Sequence, residues 1–324
     1  MKLCREAIFL LGIAACGGEP KPANSSSDSV ALLANDAKSH GSSLKEGEDA
    51  LLKGDHAKAR QLFEVIVAKE PKNAEAHSYL ASAFEGLSDQ ASAETHFKHA
   101  LSLKPNLLHA LINYSALLID AKRYAEAKAL LSQPFVAKLG AHELTFSLGL
   151  AETAVGLTAE GERHFRAAIA QAPTVGSYHL ALAQVLHEEK KDEEALRELE
   201  LACRHAGQDV TLWMELGTTF RAMRKARECA DALGRALSLK DEPRVRFDRA
   251  TCLLAAKDFD VAASELEQLA KASPDHAIVQ YWLGVAYSGA GKKDEAKKRF
   301  RDYLQRDPKG AKAKEAEAQL KELR

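Results

Sequence analysis

Aromatic residues make up only 6% of the 324 positions, and two of them are tryptophan. A surface that stacks nucleobases needs more rings than that. No charge sign dominates either: 45 basic residues face 46 acidic ones, for a net charge of −1. Whole-molecule attraction to nucleic acid or to anionic lipid is therefore not expected. The five cysteines, Cys4, Cys16, Cys203, Cys229 and Cys252, form no CxxC pair, no haem-attachment site and no zinc spacing. GxSxG, HExxH, Walker and GxGxxG motifs are missing. The sequence therefore nominates no catalytic residue, no cofactor and no metal site. The apolar run at 7–15 has nine residues, whereas a membrane-spanning helix needs about 20.

What the chain has in abundance is repetition. Small residues recur at Ala59, Ala93, Ala127, Gly161, Ala195, Cys229, Ala262 and Ala296, in steps of 34 broken once by a step of 33. A second small series runs in step with them: Gly47, Ala81, Ser115, Gly149, Ala183, Gly217, Ala250 and Gly284. A large apolar series completes the set: Phe63, Phe97, Leu131, Phe165, Leu199, Leu233, Leu266 and Phe300. A small residue on one helix lets a second helix approach, and a large residue fills the space beside it. Prolines at 71, 105, 173, 274 and 308 close five units, and Gly207 closes a sixth. Pro134 falls inside an expected helix, which it must kink or shorten. Ser43-Leu44-Lys45-Glu46 reads as a capping box ahead of the first unit.

The unit is clearest at 277–310. Leu283 and Gly284 are followed by Tyr287, Ala296, Phe300 and Pro308 at set intervals, which resembles a tetratricopeptide repeat. The resemblance implies an all-α fold: a right-handed α-solenoid of eight helix-turn-helix repeats over 40–310, closed by a cap helix at 311–324. Ala313, Ala316, Leu320 and Leu323 share one face of that last segment. Three residues fit poorly. Glu46 and Arg249 stand where the family has leucine, and Glu152 where it has an aromatic, so either partial exposure or an imperfect local register is expected there. Cys203, Cys229 and Cys252 fall in or near small packed slots. Buried free thiols are the expectation for them, although an oxidising compartment would permit a disulfide. His77 and His179 take a large slot of the first helix, which packing explains.

The N-terminus differs from the rest. Lys2 and Arg5 precede the apolar run, which ends Ile13-Ala14-Ala15-Cys16. That ending resembles the lipobox of bacterial lipoproteins. The resemblance implies a signal peptide at 1–15 and lipidation of Cys16, whose acyl (palmitate-type) chains anchor the protein. A cysteine that merely lies beside an ordinary cleavage site is the plainer alternative. Gly17 stands where aspartate would retain such a protein at the inner membrane, so the implied address is the periplasmic face of the outer membrane. Residues 17–29 read GGEPKPANSSSDS, a flexible tether within the 16–39 linker.

In the repeat family, positions two, five, nine and twelve of the first helix face a concave groove. Carried over, these are Ile112, Ile119, Phe146, Leu150, Leu180, Met214, Phe247, Leu254, Tyr281 and Val285, an apolar stretch that follows a polar one at Glu48, Glu75, Ser78, Ser82 and Glu85. The expected partner is a protein or peptide segment lying in the groove; the alternative is that some of these side chains pack against neighbouring helices and are not exposed. Charges placed at Phe146 and Leu180 are then expected to weaken capture and leave unfolding almost unchanged. The functional expectation is a non-enzymatic adaptor tethered in the cell envelope. The plan is similar to that of lipoproteins that aid assembly of pilus secretins or dock peptidoglycan hydrolases. An accessory subunit of an envelope enzyme or secretion machine is the alternative.

Overall fold

A computed structural model describes the backbone of residues 40–323 and the side chains of 44–323. The expected signal peptide, Cys16 and the tether lie outside the described residues. Chain contacts divide the protein at Pro173/Thr174 into two units. In the first, α1 (His40–Leu52) pairs with α2 (His56–Lys69), α3 (Ala74–Gly86) with α4 (Gln90–Leu103), and α5 (Leu108–Asp120) with α6 (Tyr124–Leu131) and the short α7 (Pro134–Ala137). The pair α8 (His142–Ala154) and α9 (Thr158–Gln171) ends it. The second unit holds α10 (Gly176–Glu188) with α11 (Asp192–His205), and α12 (Val210–Ala222) with α13 (Ala226–Leu239). It continues with α14 (Pro243–Ala255) and α15 (Phe259–Ala272), then α16 (Ala277–Gly289) and α17 (Lys293–Arg306). The last helix, α18 (Ala313–Glu322), lies against α17. The eight hairpins follow the 34-residue step and its single 33-residue lapse, and the described helices form the repeated all-α solenoid expected of them. One detail differs: α1 already begins at His40, so Ser43 lies inside the helix and not ahead of it.

Each hairpin turns by the same device. One residue sits in the left-handed region: Gly54, Ser88, Lys122, Gly156, Lys190, Arg224, Lys257 or Gly291. The amide of the next residue then reaches back five positions, as from Asp55 to the Ala50 carbonyl at 2.9 Å and from Asp89 to Phe84 at 2.9 Å. This closes the first helix. Asp55 and Asp89 also start the second helix, each accepting an amide bond at 3.1 Å, from Lys58 and Ser92 respectively. A left-handed residue with a side chain costs about 1–2 kcal/mol, so five of the eight turns are held against that cost. Second helices end two residues before Pro71, Pro105, Pro173, Pro274 and Pro308. Pro134 shortens its helix as its ring requires: α6 stops at Leu131, and Pro134 becomes the first residue of α7.

The small and large slots meet as the sequence indicates. A Cβ added to Gly47 would lie 2.5 Å from the Phe63 ring, and one at Gly284 would lie 2.7 Å from Phe300. The rings therefore rest on the backbone of the facing helix. The small slot on the second helix is equally tight, since a Cβ at Gly161 would fall 2.8 Å from the Gly149 carbonyl oxygen. Polar pairs also join the two helices at one recurring position. His179 Nδ1 bonds to Glu198 at 2.6 Å, Arg246 to Glu265, and Arg299 to Gln280 at 3.1 Å. His77 and His96 form the equivalent pair at 3.0 Å. His77 and His179 are buried as expected, but they also fasten the hairpin.

Two expectations change. Glu152 is not partly exposed; it is 6% exposed, with its carboxylate bonded to His164 Nδ1 at 2.6 Å. The imidazole gives the buried carboxylate the partner that an aromatic slot would not need. Arg249 is held by Glu265 and donates to the Ala230 carbonyl at 3.2 Å, while Glu46 is exposed. Cys229 and Cys252 are not free thiols: they are joined in a disulfide across 23 residues, with Cα atoms 5.9 Å apart. It ties α13 to α14, spanning the place where the register loses a residue. Cys203 remains a thiol, and burial pushes its pKa up to about 11.

Candidate functional site

First helices with a shared period bring the same positions of successive repeats onto one face. On α3 and the side of α5 that meets it, in the first unit, that face is polar. Ser78 and Ser82 of α3 are buried against α5, where His109 Nδ1 meets Ser78 Oγ at 2.6 Å. Asn113 donates to His109 Nε2 at 2.9 Å and to Ser82 Oγ at 3.2 Å. Asn113 thereby fixes the tautomer, with Nε2 accepting and Nδ1–H donating to the serine. Burial draws the His109 pKa down to about 4. Burial, with the Asp120 carboxylate nearby, lifts Glu85 to about 7. The Tyr79 hydroxyl rises to about 12 through burial and its bond to Glu48. Glu75 is paired with Lys104 at 3.0 Å. The polar character expected of Glu48, Glu75, Ser78, Ser82 and Glu85 is thus present, but much of it is spent on bonds within the unit. Sequence reasoning missed His109, Asn113 and Asp120, polar residues in the otherwise apolar run of α5.

The apolar positions divide into two groups. Ile119, Phe146, Leu150, Leu180 and Tyr281 are buried, with Phe146 and Leu180 each 1% exposed. Phe146 packs on Phe165 at 5.5 Å. Tyr281 lies 5.8 Å from Phe300 and donates its hydroxyl to Glu315 of the last helix at 2.9 Å. Burial lifts its pKa to about 12, helped by that bond. These five side chains support the fold and present no surface. A charge at Phe146 or Leu180 would enter the core, so the expectation that such variants leave unfolding unchanged does not stand. Ile112, Met214, Phe247, Leu254 and Val285 are half-buried. Ile112 packs against the cluster of Leu111, Leu131, Val136 and Leu144. Met214, Phe247, Leu254 and Val285 all belong to the second unit, on α12, α14 and α16. Among the described residues no group of three or more His, Cys, Asp or Glu side chains is placed to hold a metal ion. No described helix is long and apolar enough to cross a membrane.

Comparison with known proteins agrees with this geometry. A tetratricopeptide repeat model matches residues 44–107, 146–209 and 214–277, and a second such model matches 253–320. Solved structures of similar fold include PilF of Pseudomonas aeruginosa, with 20% identity over 63% of this chain and 92% of that one, at a TM-score of 0.53. Yeast Tom70 has 15% identity over 94% of this chain and 66% of its own, at 0.54. A tetratricopeptide repeat protein from Parabacteroides merdae has 15% identity over 77% and 99%, at 0.55. At such identities the likeness is one of fold. No curated protein matches. With the family models matching more than half of the chain and the helices in the repeat's register, the chain belongs to the tetratricopeptide repeat family.

Proposed function

We propose that the protein is a non-enzymatic scaffold, held in a bacterial cell envelope by lipid on Cys16, that captures a protein or peptide segment on its first-helix face. The observation that carries the binding half is the group of half-buried apolar side chains on the second unit: Met214, Phe247, Leu254 and Val285. Side chains that remain partly exposed in a packed repeat are available to a partner, and apolar surface of this kind favours association. The disulfide Cys229–Cys252 supports the address, since disulfides persist in oxidising compartments such as a periplasm. The Ile13-Ala14-Ala15-Cys16 sequence supplies the anchor. Each acyl CH2 buried in a membrane contributes about 0.8 kcal/mol, so several chains hold a protein where one would not.

Cys16→Ala tests the tether. Cells expressing the variant are expected to incorporate no labelled palmitate into the protein and to release it into the soluble envelope fraction. Unchanged membrane association of the variant would remove the lipid anchor from this reading.

A further inference from the structure

The polar pair that fastens four of the hairpins is not chemically the same throughout. In the fifth hairpin it is His179 with Glu198, and in the seventh Arg246 with Glu265. In the fourth, His164 turns to Glu152. Each of these sets a basic side chain against a carboxylate, the arrangement of a charge-assisted bond. In the second hairpin the same position holds two imidazoles, His77 on α3 and His96 on α4, with their Nδ1 atoms 3.0 Å apart. His99, one turn along α4, packs edge-on against His77 at 4.3 Å between centroids. The Pro71 carbonyl, in the turn entering the hairpin, meets His77 Nε2 at 3.0 Å and His99 Nε2 at 3.4 Å.

Donor and acceptor roles follow from these contacts. A carbonyl only accepts, so His77 carries its proton on Nε2. Its Nδ1 is then a bare acceptor, and His96 Nδ1–H is the donor. One extra proton can be taken up on His96 Nε2, with the Nδ1 proton still bridging the two rings. A second cannot: two N–H groups would face each other at bonding distance, both rings charged, with His99 alongside. We propose that His77 and His96, with His99 packed beside them, form a pH-responsive clasp, holding the second hairpin closed while the Nδ1···Nδ1 bond between His77 and His96 is intact and loosening it when the surroundings turn acid.

The groups around the clasp oppose this only weakly. On α2, Glu64 favours a charge on His96, but it is itself paired with Arg60 at 2.8 Å, and Arg60 lies over the Phe84 ring that stacks on His96. On α1, Glu48 is bonded to Tyr79, and on α5, His109 is turned to Ser78. Burial holds His77 below the usual imidazole value, the Pro71 bond works against it, and His99 adds to the depression. Burial likewise lowers His96, and His77 and His99 lower it further. A histidine whose folded-state pKa is depressed stabilises the fold fully above its unfolded value of 6.5, and that contribution is lost as pH falls below it. Glu85, whose pKa is raised, works in the opposite direction, and His109 in the same one. Global melting is therefore the wrong readout.

The test is residue-level NMR on the full chain. Imidazole titrations should show His77 and His96 with midpoints below 6.5 and each dependent on the other. In His96→Gln the amide can donate to His77 Nδ1 or accept from it, so the His77 midpoint should rise. Amide exchange in α3 and α4, corrected for its intrinsic pH dependence, should quicken several-fold between about pH 7.5 and about pH 5.5 in the natural chain and stay level in His96→Gln. Independent titration of the two rings near the ordinary histidine value would overturn the clasp. So would an acid-dependent exchange that survives in the variant. If the variant does not fold, the titration of the natural chain decides alone.

Discussion

Phe300→Ala is expected to lower the stability of the second unit by about 3–5 kcal/mol, the usual range for removing a buried phenylalanine. The ring is fully buried and lies on the α16 backbone, so close that a Cβ at Gly284 would stand 2.7 Å from it. Tyr281 packs beside it, and Tyr281 lies 5.6 Å from Tyr303. Those two tyrosines hold the last helix: Tyr281 donates to Glu315, and the Lys312 amide donates to the Tyr303 hydroxyl at 3.1 Å. Emptying the Phe300 site therefore undermines the cover of the final hairpin as well as its interior. Gly284→Ala should also destabilise, because the new methyl meets the ring. Two other repeats solve the same slot with alanine against leucine, at Ala183 with Leu199 and Ala250 with Leu266. Gly284→Ala combined with Phe300→Leu should accordingly recover part of the loss, with a coupling of about 0.5–3 kcal/mol. Urea unfolding of the natural chain, of Gly284→Ala and Phe300→Leu singly, and of the two combined measures this. Additive losses would mean that the two slots do not meet.

Removing the disulfide by Cys229→Ala with Cys252→Ala should cost the second unit about 3 kcal/mol by the loop-closure relation for a closed loop of this size. The two sulfurs span 23 residues of sequence and tie α13 to α14. Between those helices lies Asp241-Glu242-Pro243, where the repeat is one residue short. Both cysteines are buried, at 0% and 2% exposed, so a reductant reaches them only when the unit opens. The double variant is therefore a cleaner probe than added thiol. Cys203→Ala serves as the control. It removes a half-buried thiol outside the bridge and should change the midpoint far less. An unfolding midpoint shared by the double variant and the natural chain would show that the bridge contributes nothing to stability.

The period was legible because it rests on volume. Small residues facing Phe63, Phe165 and Phe300 mark the register without any knowledge of neighbouring helices. Pro134 was legible for a similar reason, since a ring without an amide proton has one local consequence. Pairing was not legible. Nothing in the sequence separates Glu152, which is buried with His164, from Glu46, which is exposed, because the burial of Glu152 depends on the imidazole that the fold brings opposite it. The disulfide was hidden likewise. Cys229 and Cys252 occupy slots that alanine fills elsewhere, and only the packing of α13 on α14 brings them within reach. The first-helix face was half legible. Positions five, nine and twelve were correctly placed on helices, but Phe146, Leu150, Leu180, Tyr281 and Ile119 are covered by packing, which position alone does not reveal.

Photo-crosslinking in intact cells tests the central claim most directly. A crosslinking residue at Phe247, half-buried on the first-helix face of the second unit, is compared with one at Leu239, 40% exposed at the end of α13. If the protein is a scaffold that binds along its first helices, Phe247 yields a discrete adduct with one envelope protein. That adduct disappears when Met214→Glu is added, while Leu239 yields none. Adducts of equal strength from both positions, or none from Phe247, would contradict it.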